Sequence, residues 1–270
     1  MFKRLHAALA FLTRLVPPPA SPVPLGDCLP FFGVAGLVPG LLATAAAMCA
    51  VGRWGASTLA CLGAAWLWLA FMAWATRAMH WDALADVADA AGSMAQGPRF
   101  REIMKDSRVG AFAVLAIVAV WLGQMLCVAA HLERAGLPDL PGCSGWHAWS
   151  GWLPLCLAPA WARMACLHLA GRVPAATDST LGCLVCDGVR QRVAGLSLAQ
   201  WHALACVALV LCLVGMTSLA LWQGAALLAA QALVHGWLAG LAQRNGGLSG
   251  DFLGADIELS QLVFLLLTLC

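Results

Sequence analysis

Three aspartates, Asp82, Asp86 and Asp89, form the segment of this chain best suited to chemistry. They stand at positions i, i+4 and i+7, so on an α-helix they fall within about 60° of one another. Three adjacent carboxylates repel, and near a bilayer their dehydration is costly. A divalent cation would remove both penalties, and oxygen ligands suit Mg²⁺ or Mn²⁺ better than Zn²⁺. The alternative is a solvated helix end that pairs with basic side chains.

A stripe of the opposite charge follows, because Arg101, Lys105 and Arg108 repeat the same spacing. The two stripes either pair with each other, or the acidic stripe holds a metal while the basic stripe holds the oxygens of a pyrophosphate. Asp106 falls on another helical face and is a candidate metal ligand or general base. His80 is a second candidate base, and it reaches the acidic stripe only if the helix begins or bends near the following residue.

A third polar segment near the carboxyl end combines glycines with acidic residues. Gly246, Gly247 and Gly250 permit a tight loop whose backbone N–H groups can point at an anion. Asp251 and Glu258 are again seven residues apart, so a helix that starts here presents a second acidic face. The simpler interpretation is a turn with a capping aspartate.

The elements that position these residues are membrane helices. Of 270 residues, 62% are hydrophobic and 10% are charged, whereas a soluble domain carries about 25% charged residues. The mean hydropathy is +0.83. We therefore predict an all-α, polytopic membrane bundle with about seven transmembrane helices, in a range of six to eight. The apolar runs that could each cross about 30 Å of hydrocarbon lie near residues 29–51, 57–79, 111–130, 149–170, 201–220, 222–241 and 257–270.

The basic residues predict the orientation of this bundle. With the amino terminus and the loops at about 77–110, 171–200 and 242–256 on one side, that side holds twelve of the fifteen Lys and Arg residues. The opposite side holds Arg53 and Arg134, and Arg163 lies within a span. The positive-inside rule then makes the first side cytoplasmic. We expect residues 1–270 to form a single membrane domain whose three cytoplasmic loops build the active-site face.

Three motifs in register resemble one known family. They are the H-x-D-x-L-A-D-x-x-D run at His80–Asp89, the segment Met104–Phe112, and the G-D-x-L-G-A-x-x-E-L-S run at Gly250–Ser260. The segment Phe11–Leu15, with the prolines that follow it, adds to the similarity. Together these motifs resemble cobalamin synthases, also called adenosylcobinamide-GDP ribazoletransferases, over nearly the whole chain.

The resemblance implies a Mg²⁺-dependent enzyme of the bacterial inner membrane, with its active site facing the cytoplasm and Mn²⁺ as the alternative metal. It would transfer the adenosylcobinamide-phosphate moiety of adenosylcobinamide-GDP to the 5′-hydroxyl of α-ribazole or α-ribazole 5′-phosphate. GMP would leave, and adenosylcobalamin or its 5′-phosphate would form, late in cobalamin biosynthesis. The expected partners are these small molecules and membrane lipid; no nucleic acid is expected, and a homo-oligomer is left open.

Spacing and resemblance together define the candidate site. The predicted metal ligands are Asp82, Asp86, Asp89, Asp251 and Glu258. The predicted substrate-binding residues are Arg101, Lys105, Ser107, Arg108 and Gly250. The predicted catalytic residues are His80, Asp82 and Asp106. Two positions depart from the family pattern: Ala83 replaces its usual glycine, and residues 174–182 keep only the outline of its loop after the fourth span.

Two other functions fit parts of the pattern. A CDP-alcohol phosphotransferase also uses aspartates on membrane helices, but it needs Arg where this chain has Asp86, and the second half of its motif does not follow. A metal or metabolite transporter could use the aspartates as an ion site. Against it, the acidic groups cluster at one face, and no matching exit site is present.

Overall fold

The computed structural model describes residues 1–135, 146–193, 195–216 and 220–269. A 3₁₀ turn at Leu29–Phe31 joins the second and third helices. The helices are α1 (Phe2–Leu12), α2 (Leu25–Cys28), α3 (Phe32–Trp54), α4 (Thr58–Ala75), α5 (Met79–Gly92), α6 (Pro98–Met104), α7 (Ala111–Ala135), α8 (Trp146–Arg172), α9 (Thr180–Arg190), α10 (Leu198–Met216), α11 (Leu221–Arg244) and α12 (Gly250–Leu267).

The all-α prediction is confirmed. Among the described residues, the extended pairing consists of a small antiparallel hairpin, β1 (Arg192–Val193) with β2 (Leu196–Ser197), and one isolated bridge between Ala175 and Leu248.

Five helical segments are long and apolar enough to cross a membrane. They are Leu25–Trp54, Thr58–Ala75, Ala111–Ala135, Gly151–Arg172 and Leu221–Arg244. These match five of the seven predicted spans. A shorter apolar stretch, Leu198–Val214, covers most of the predicted span at 201–220. Residues 217–219 of that span lie outside the described part of the chain.

The last predicted span begins earlier than the hydropathy pattern suggested. The run at 257–270 is only the distal part of α12, which starts at Gly250 and therefore includes Asp251, Asp256 and Glu258. The opposite end of α12 reaches the far end of α7, where the Thr268 hydroxyl lies 3.3 Å from His131 Nε2. Helix α12 thus extends from the site described below to the other end of the bundle.

Helix α8 lies at the centre and packs against α3, α7, α10 and α12. Its contact with α3 depends on Gly36 and Gly40, since a Cβ at either position would collide with a backbone carbonyl, that of Pro159 or that of Cys156. Small residues spaced four apart allow membrane helices to approach closely. Helix α12 packs directly on α8, and α5 packs on α12 and α7.

Candidate active site

The acidic stripe is carried by a helix of its own. Helix α4 ends at Ala75, and Arg77 and Ala78 adopt left-handed conformations with φ of 57° and 54° before α5 begins at Met79. Such φ values are uncommon in residues with a side chain. The reversal detaches α5 from the preceding span and places the aspartates on a regular helix, as the spacing predicted.

Asp82 and Asp86 are short of compensating charge. Neither side chain makes a hydrogen bond or ion pair with any described residue; Asp82 is exposed and Asp86 is half-buried. Burial, together with the carboxylates of Asp82, Asp251 and Asp89, raises the pKa of Asp86 to about 7. Asp251, at the start of α12, therefore belongs to the same acidic group although it is far away in sequence.

Asp89 has a different immediate role. Its carboxylate accepts hydrogen bonds from the backbone N–H groups of Gly110, at 2.6 Å, and Ala113, at 2.8 Å. It therefore caps the amino terminus of α7 from a neighbouring helix, where a negative charge is favoured. A Cβ at Gly110 would meet this carboxylate at 2.6 Å, so the glycine lets the backbone come close.

The donor atoms of the acidic group suit a hard divalent cation, but the carboxylates are not arranged as a completed metal site. Its donors are carboxylate oxygens, and its mutual repulsion is what a cation would relieve. Within the described residues, however, no three His, Cys, Asp or Glu side chains are already grouped closely enough to hold a metal ion. Binding would require the carboxylates to draw together.

The residues of the predicted basic stripe do not lie on one face of a helix. Helix α6 ends at Met104, so Lys105 and Arg108 lie beyond it. Lys105 Nζ lies 2.8 Å from an oxygen of Asp178, and Arg101 pairs with the same carboxylate. Of the two alternatives for the stripes, the direct pairing of α5 aspartates with these bases is not observed; Asp178, in the loop after α8, takes that position.

Asp106 and Arg108 pair with each other across a local turn. The Asp106 carboxylate accepts from the Arg108 backbone N–H at 3.1 Å and from Arg108 Nη2 at 2.6 Å. These contacts lower the pKa of Asp106 to about 2, which makes it a weak base. The aspartate-to-backbone bond two residues on also explains why the helix does not continue. No hydrogen bond of the intervening Ser107 side chain is observed among the described residues.

Three loops that are distant in sequence meet above α5 and α12. Asn245 Oδ1 accepts from Gly97 N–H at 2.7 Å. Leu248 N–H donates to the carbonyl of Pro174 at 2.8 Å. Gly247, with φ of 112°, lies so close to Ala175 that a Cβ would approach its backbone to 2.7 Å. These are the 77–110, 171–200 and 242–256 loops that the charge pattern assigned to one face.

His80 turns away from the acidic stripe into a buried polar network. Its Nδ1 lies 3.4 Å from Arg163 Nη2 and 3.8 Å from Glu258 Oε1. Glu258 also accepts a 3.0 Å hydrogen bond from Gln124. Burial and the Arg163 charge lower the pKa of His80 well below its ordinary value, so the ring is neutral. Because guanidinium only donates, Nδ1 accepts and Nε2 carries the proton.

Glu258 is therefore engaged with Gln124, Arg163 and His80 in the structure, while the other predicted metal ligand of α12, Asp251, lies with the aspartates. Asp251 also accepts a 3.0 Å hydrogen bond from the Ser249 hydroxyl.

Two cavities of different character flank Asp251. One, of about 110 Å³, is polar, and its lining includes Arg101, Lys105, Asp178 and Asn245. The other, of about 230 Å³, is mostly apolar and includes His80 and Gly250 in its wall. Asp251 lines both cavities, so a molecule in either one can reach this carboxylate.

Sequence reasoning missed two of these participants. Asp178 lies in the loop that keeps only the outline of a motif, and a lone aspartate there gives no signal of pairing. Gln124 lies within an apolar span, where an uncharged amide is inconspicuous. An uncompensated Arg163 in a neighbouring span was the available signal, since a buried charge needs polar partners.

Comparison with known proteins assigns the chain to a family. Residues 4–269 match the family model described as cobalamin-5-phosphate synthase. A protein of Nitratidesulfovibrio vulgaris strain Miyazaki F named adenosylcobinamide-GDP ribazoletransferase is 39% identical, covering 99% of this chain and 95% of the relative. A protein of Deinococcus radiodurans with the same name is 34% identical, covering 98% and 84%. No solved structure matches. The chain belongs to the cobalamin-5-phosphate synthase family.

Proposed function

We propose that this protein is an adenosylcobinamide-GDP ribazoletransferase, which transfers adenosylcobinamide phosphate to a free ribose hydroxyl of α-ribazole or its 5′-phosphate and releases GMP. The 5′-hydroxyl expected from the resemblance cannot be the acceptor in α-ribazole 5′-phosphate, because that oxygen already carries a phosphate. The single observation that carries the proposal is the meeting of opposite charges around Asp251. Uncompensated carboxylates lie on one side of it, and the Arg101–Lys105 pair lines a cavity on the other. A reaction on a pyrophosphate needs both.

Mg²⁺ is the proposed cofactor, held by Asp82, Asp86 and Asp251, with Mn²⁺ as the alternative. When bound, it supplies charge neutralisation for the pyrophosphate and for the departing phosphate. The support is the oxygen-only donor set and the repulsion that raises the pKa of Asp86. Asp89 contributes by holding the start of α7 against the stripe.

The basic pair binds phosphate oxygens in this proposal. Arg101 and Lys105 now share Asp178, whose carboxylate stands where a phosphate oxygen would. Substrate binding exchanges one anion for the other, and Arg101 can present two parallel donors to the phosphate. Arg108, with its planar donors, and Ser107 lie at the outer edge of the same segment. The Gly250 backbone begins α12 between the two cavities.

The bond changes follow from this arrangement. A free ribose hydroxyl oxygen of the ribazole attacks the phosphorus attached to cobinamide, and the bond from that phosphorus to the oxygen bridging to GMP breaks. Asp82, the exposed member of the acidic group, accepts the hydroxyl proton. Asp106 is a poor acceptor because its pKa is held near 2, and the His80 nitrogen with a free lone pair faces Arg163.

We further propose that the site faces the cytoplasm across a bacterial inner membrane, where charged nucleotide substrates are available. Twelve basic residues lie on that side of the predicted topology, against two on the other.

The test is GMP release by purified protein in liposomes supplied with adenosylcobinamide-GDP. We expect GMP only when α-ribazole or its 5′-phosphate and Mg²⁺ are both present, and none with EDTA. Asp82→Asn should lower kcat by at least about 100-fold, as loss of a charge-stabilising or proton-accepting group does. Asp187→Asn is the matched control, because Asp187 is 81% exposed and outside both cavities. Full activity of Asp82→Asn would contradict the assignment of the acidic group.

A further inference from the structure

The apolar cavity beside Asp251 is the feature that the reaction chemistry leaves without a role. Its wall combines residues of α1, α3, α5, α8, α9 and α12, including Phe32, Leu167 and Leu181. A larger cavity, of about 390 Å³, lies between α3, α8 and α10. None of the candidate site residues lines that one, whereas His80, Gly250 and Asp251 line the smaller one.

We propose that the smaller cavity, lined by Leu181 and His80, binds the aromatic base of the ribazole substrate, with His80 Nε2–H donating a hydrogen bond to the ring nitrogen of that base. This inference rests on the proposed function, since it assigns the acceptor substrate to one of the two cavities at the same site.

Size and polarity favour this occupant. A cavity of about 150 Å³ with apolar walls binds benzene in a protein interior, so about 230 Å³ is enough for a fused pair of rings. The polar cavity is smaller, and its two cations, Arg101 and Lys105, suit phosphate rather than an aromatic ring; Asp178 and Asp251 are the two carboxylates of its lining. The base of the acceptor and the phosphates of the donor then each have a cavity of matching chemistry.

The hydrogen bonds of the His80 ring explain why the cavity would prefer a base with an unsubstituted ring nitrogen. Its Nδ1 faces Arg163 and Glu258, and Nε2 has no hydrogen-bond partner among the described residues. In an imidazole-type base, one nitrogen carries the sugar and the other keeps a lone pair. That lone pair is an acceptor for the Nε2–H that has no other partner among the described residues.

The geometry also directs the sugar. A base held against His80 and Leu181 has Asp251 at the edge of its cavity. The ribose therefore extends toward Asp251, and its attacking hydroxyl toward the phosphates beyond. Arg163, Glu258 and Gln124 act as positioning residues in this arrangement, because they fix the orientation and tautomer of the His80 ring.

The first test narrows the cavity. Leu181→Phe should raise the KM for ribazole at least about tenfold and leave the KM for adenosylcobinamide-GDP within twofold, since a larger side chain overpacks the space that the base would occupy. Leu184→Phe is the matched control on the same helix, because Leu184 is 50% exposed and does not line the cavity. An unchanged ribazole KM in folded Leu181→Phe would overturn the proposal.

Equilibrium dialysis of labelled ribazole separates this inference from the proposed function. Binding by the wild type and Leu184→Phe, but not by Leu181→Phe, supports the cavity even if no GMP is formed; absent GMP would then refute only the transfer reaction. Equal binding by all three proteins, or no binding by the wild type, would overturn the inference. If Leu181→Phe fails to fold, Leu181→Ala should weaken ribazole binding severalfold through lost contacts.

The second test examines the hydrogen bond by changing the base of the nucleoside, first with the wild type and then with a His80 variant. A nucleoside with an indole base has C–H where ribazole has the ring nitrogen, and it should bind about three- to tenfold more weakly. His80→Phe should remove that difference. If His80 acted instead as the catalytic base, His80→Phe would lower kcat for both nucleosides and keep their affinity ratio, which would overturn this assignment.

Discussion

At the scale of single residues, the site is defined by which charges have partners and which do not. Arg101 and Lys105 are both satisfied by Asp178, whereas Asp82 and Asp86 have no such partner among the described residues. The bases are thus neutralised by a carboxylate that substrate can replace, and the aspartates keep a charge that a cation can relieve.

Asp178→Asn should lower the KM for adenosylcobinamide-GDP about two- to fivefold, because phosphate no longer has to displace a carboxylate worth about 0.5–1 kcal/mol at a partly exposed pair. The measurement is initial GMP release against substrate concentration. Asp187→Asn, which removes a more exposed acidic residue near Arg190, should leave the KM unchanged. A higher KM in Asp178→Asn would mean that Asp178 positions the bases instead of competing with substrate.

Asp86→Asn should abolish the thermal stabilisation of the protein by Mg²⁺. In the wild type, Mg²⁺ relieves repulsion among Asp82, Asp86 and Asp251, so the melting temperature in detergent should rise by several degrees over the value in EDTA. The variant has less repulsion to relieve and one ligand fewer. Equal Mg²⁺-induced shifts in the wild type and Asp86→Asn, measured by thiol-reactive dye unfolding, would remove Asp86 from the proposed metal site.

At the scale of elements, the site depends on how closely α5 approaches α12. Gly254 faces Ala83, and a Cβ at Gly254 would overlap the Cβ of Ala83. This contact holds Asp251 near the α5 aspartates. It also gives a structural meaning to Ala83, the position where the chain departs from the glycine usual in the family: with Gly254 opposite, one methyl group can be accommodated.

Gly254→Ala should therefore destabilise the protein by about 1–3 kcal/mol through overpacking and reduce activity by moving α12. Adding Ala83→Gly to the same variant should restore most of the lost stability and most of the lost activity, since it removes the opposing methyl group. Gly236→Ala, at a helical glycine where an added Cβ would meet no atom within 4 Å, should be neutral or slightly stabilising. Failure of the double variant to recover, measured by melting temperature and GMP release, would show that this contact is not what positions α12.

The elements also show what sequence could and could not predict. The i, i+4, i+7 spacing correctly placed three aspartates on one helix, because α5 is regular. The same spacing misplaced the basic residues, because a local bond between Asp106 and the Arg108 backbone ends the helix early. The pairing of Arg101 with Asp178 joins residues 77 apart, and no local pattern encodes such a contact.

At the scale of the whole molecule, composition predicted the membrane bundle, and the structure adds how its ends are arranged. Asp89 caps the start of α7 at the site end, and Thr268 meets His131 near the opposite end of α7. Helices α7 and α12 therefore run in the same direction across the bundle. Hydropathy alone could not reveal this for α12, because its first turns carry Asp251, Asp256 and Glu258.

Because α12 runs across the bundle, the side of the membrane on which residue 269 lies tests the predicted topology. The 18 residues of α12 rise about 27 Å at 1.5 Å per residue, close to the roughly 30 Å of hydrocarbon. With the basic loops inside, residue 269 should lie outside. Alkaline phosphatase fused after residue 269 should be active, and green fluorescent protein fused at the same position should not fluoresce. Fusions to a chain truncated at residue 110 should give an inactive phosphatase and a fluorescent green fluorescent protein. Fluorescence at both positions would mean that α12 does not cross the membrane and would contradict this topology.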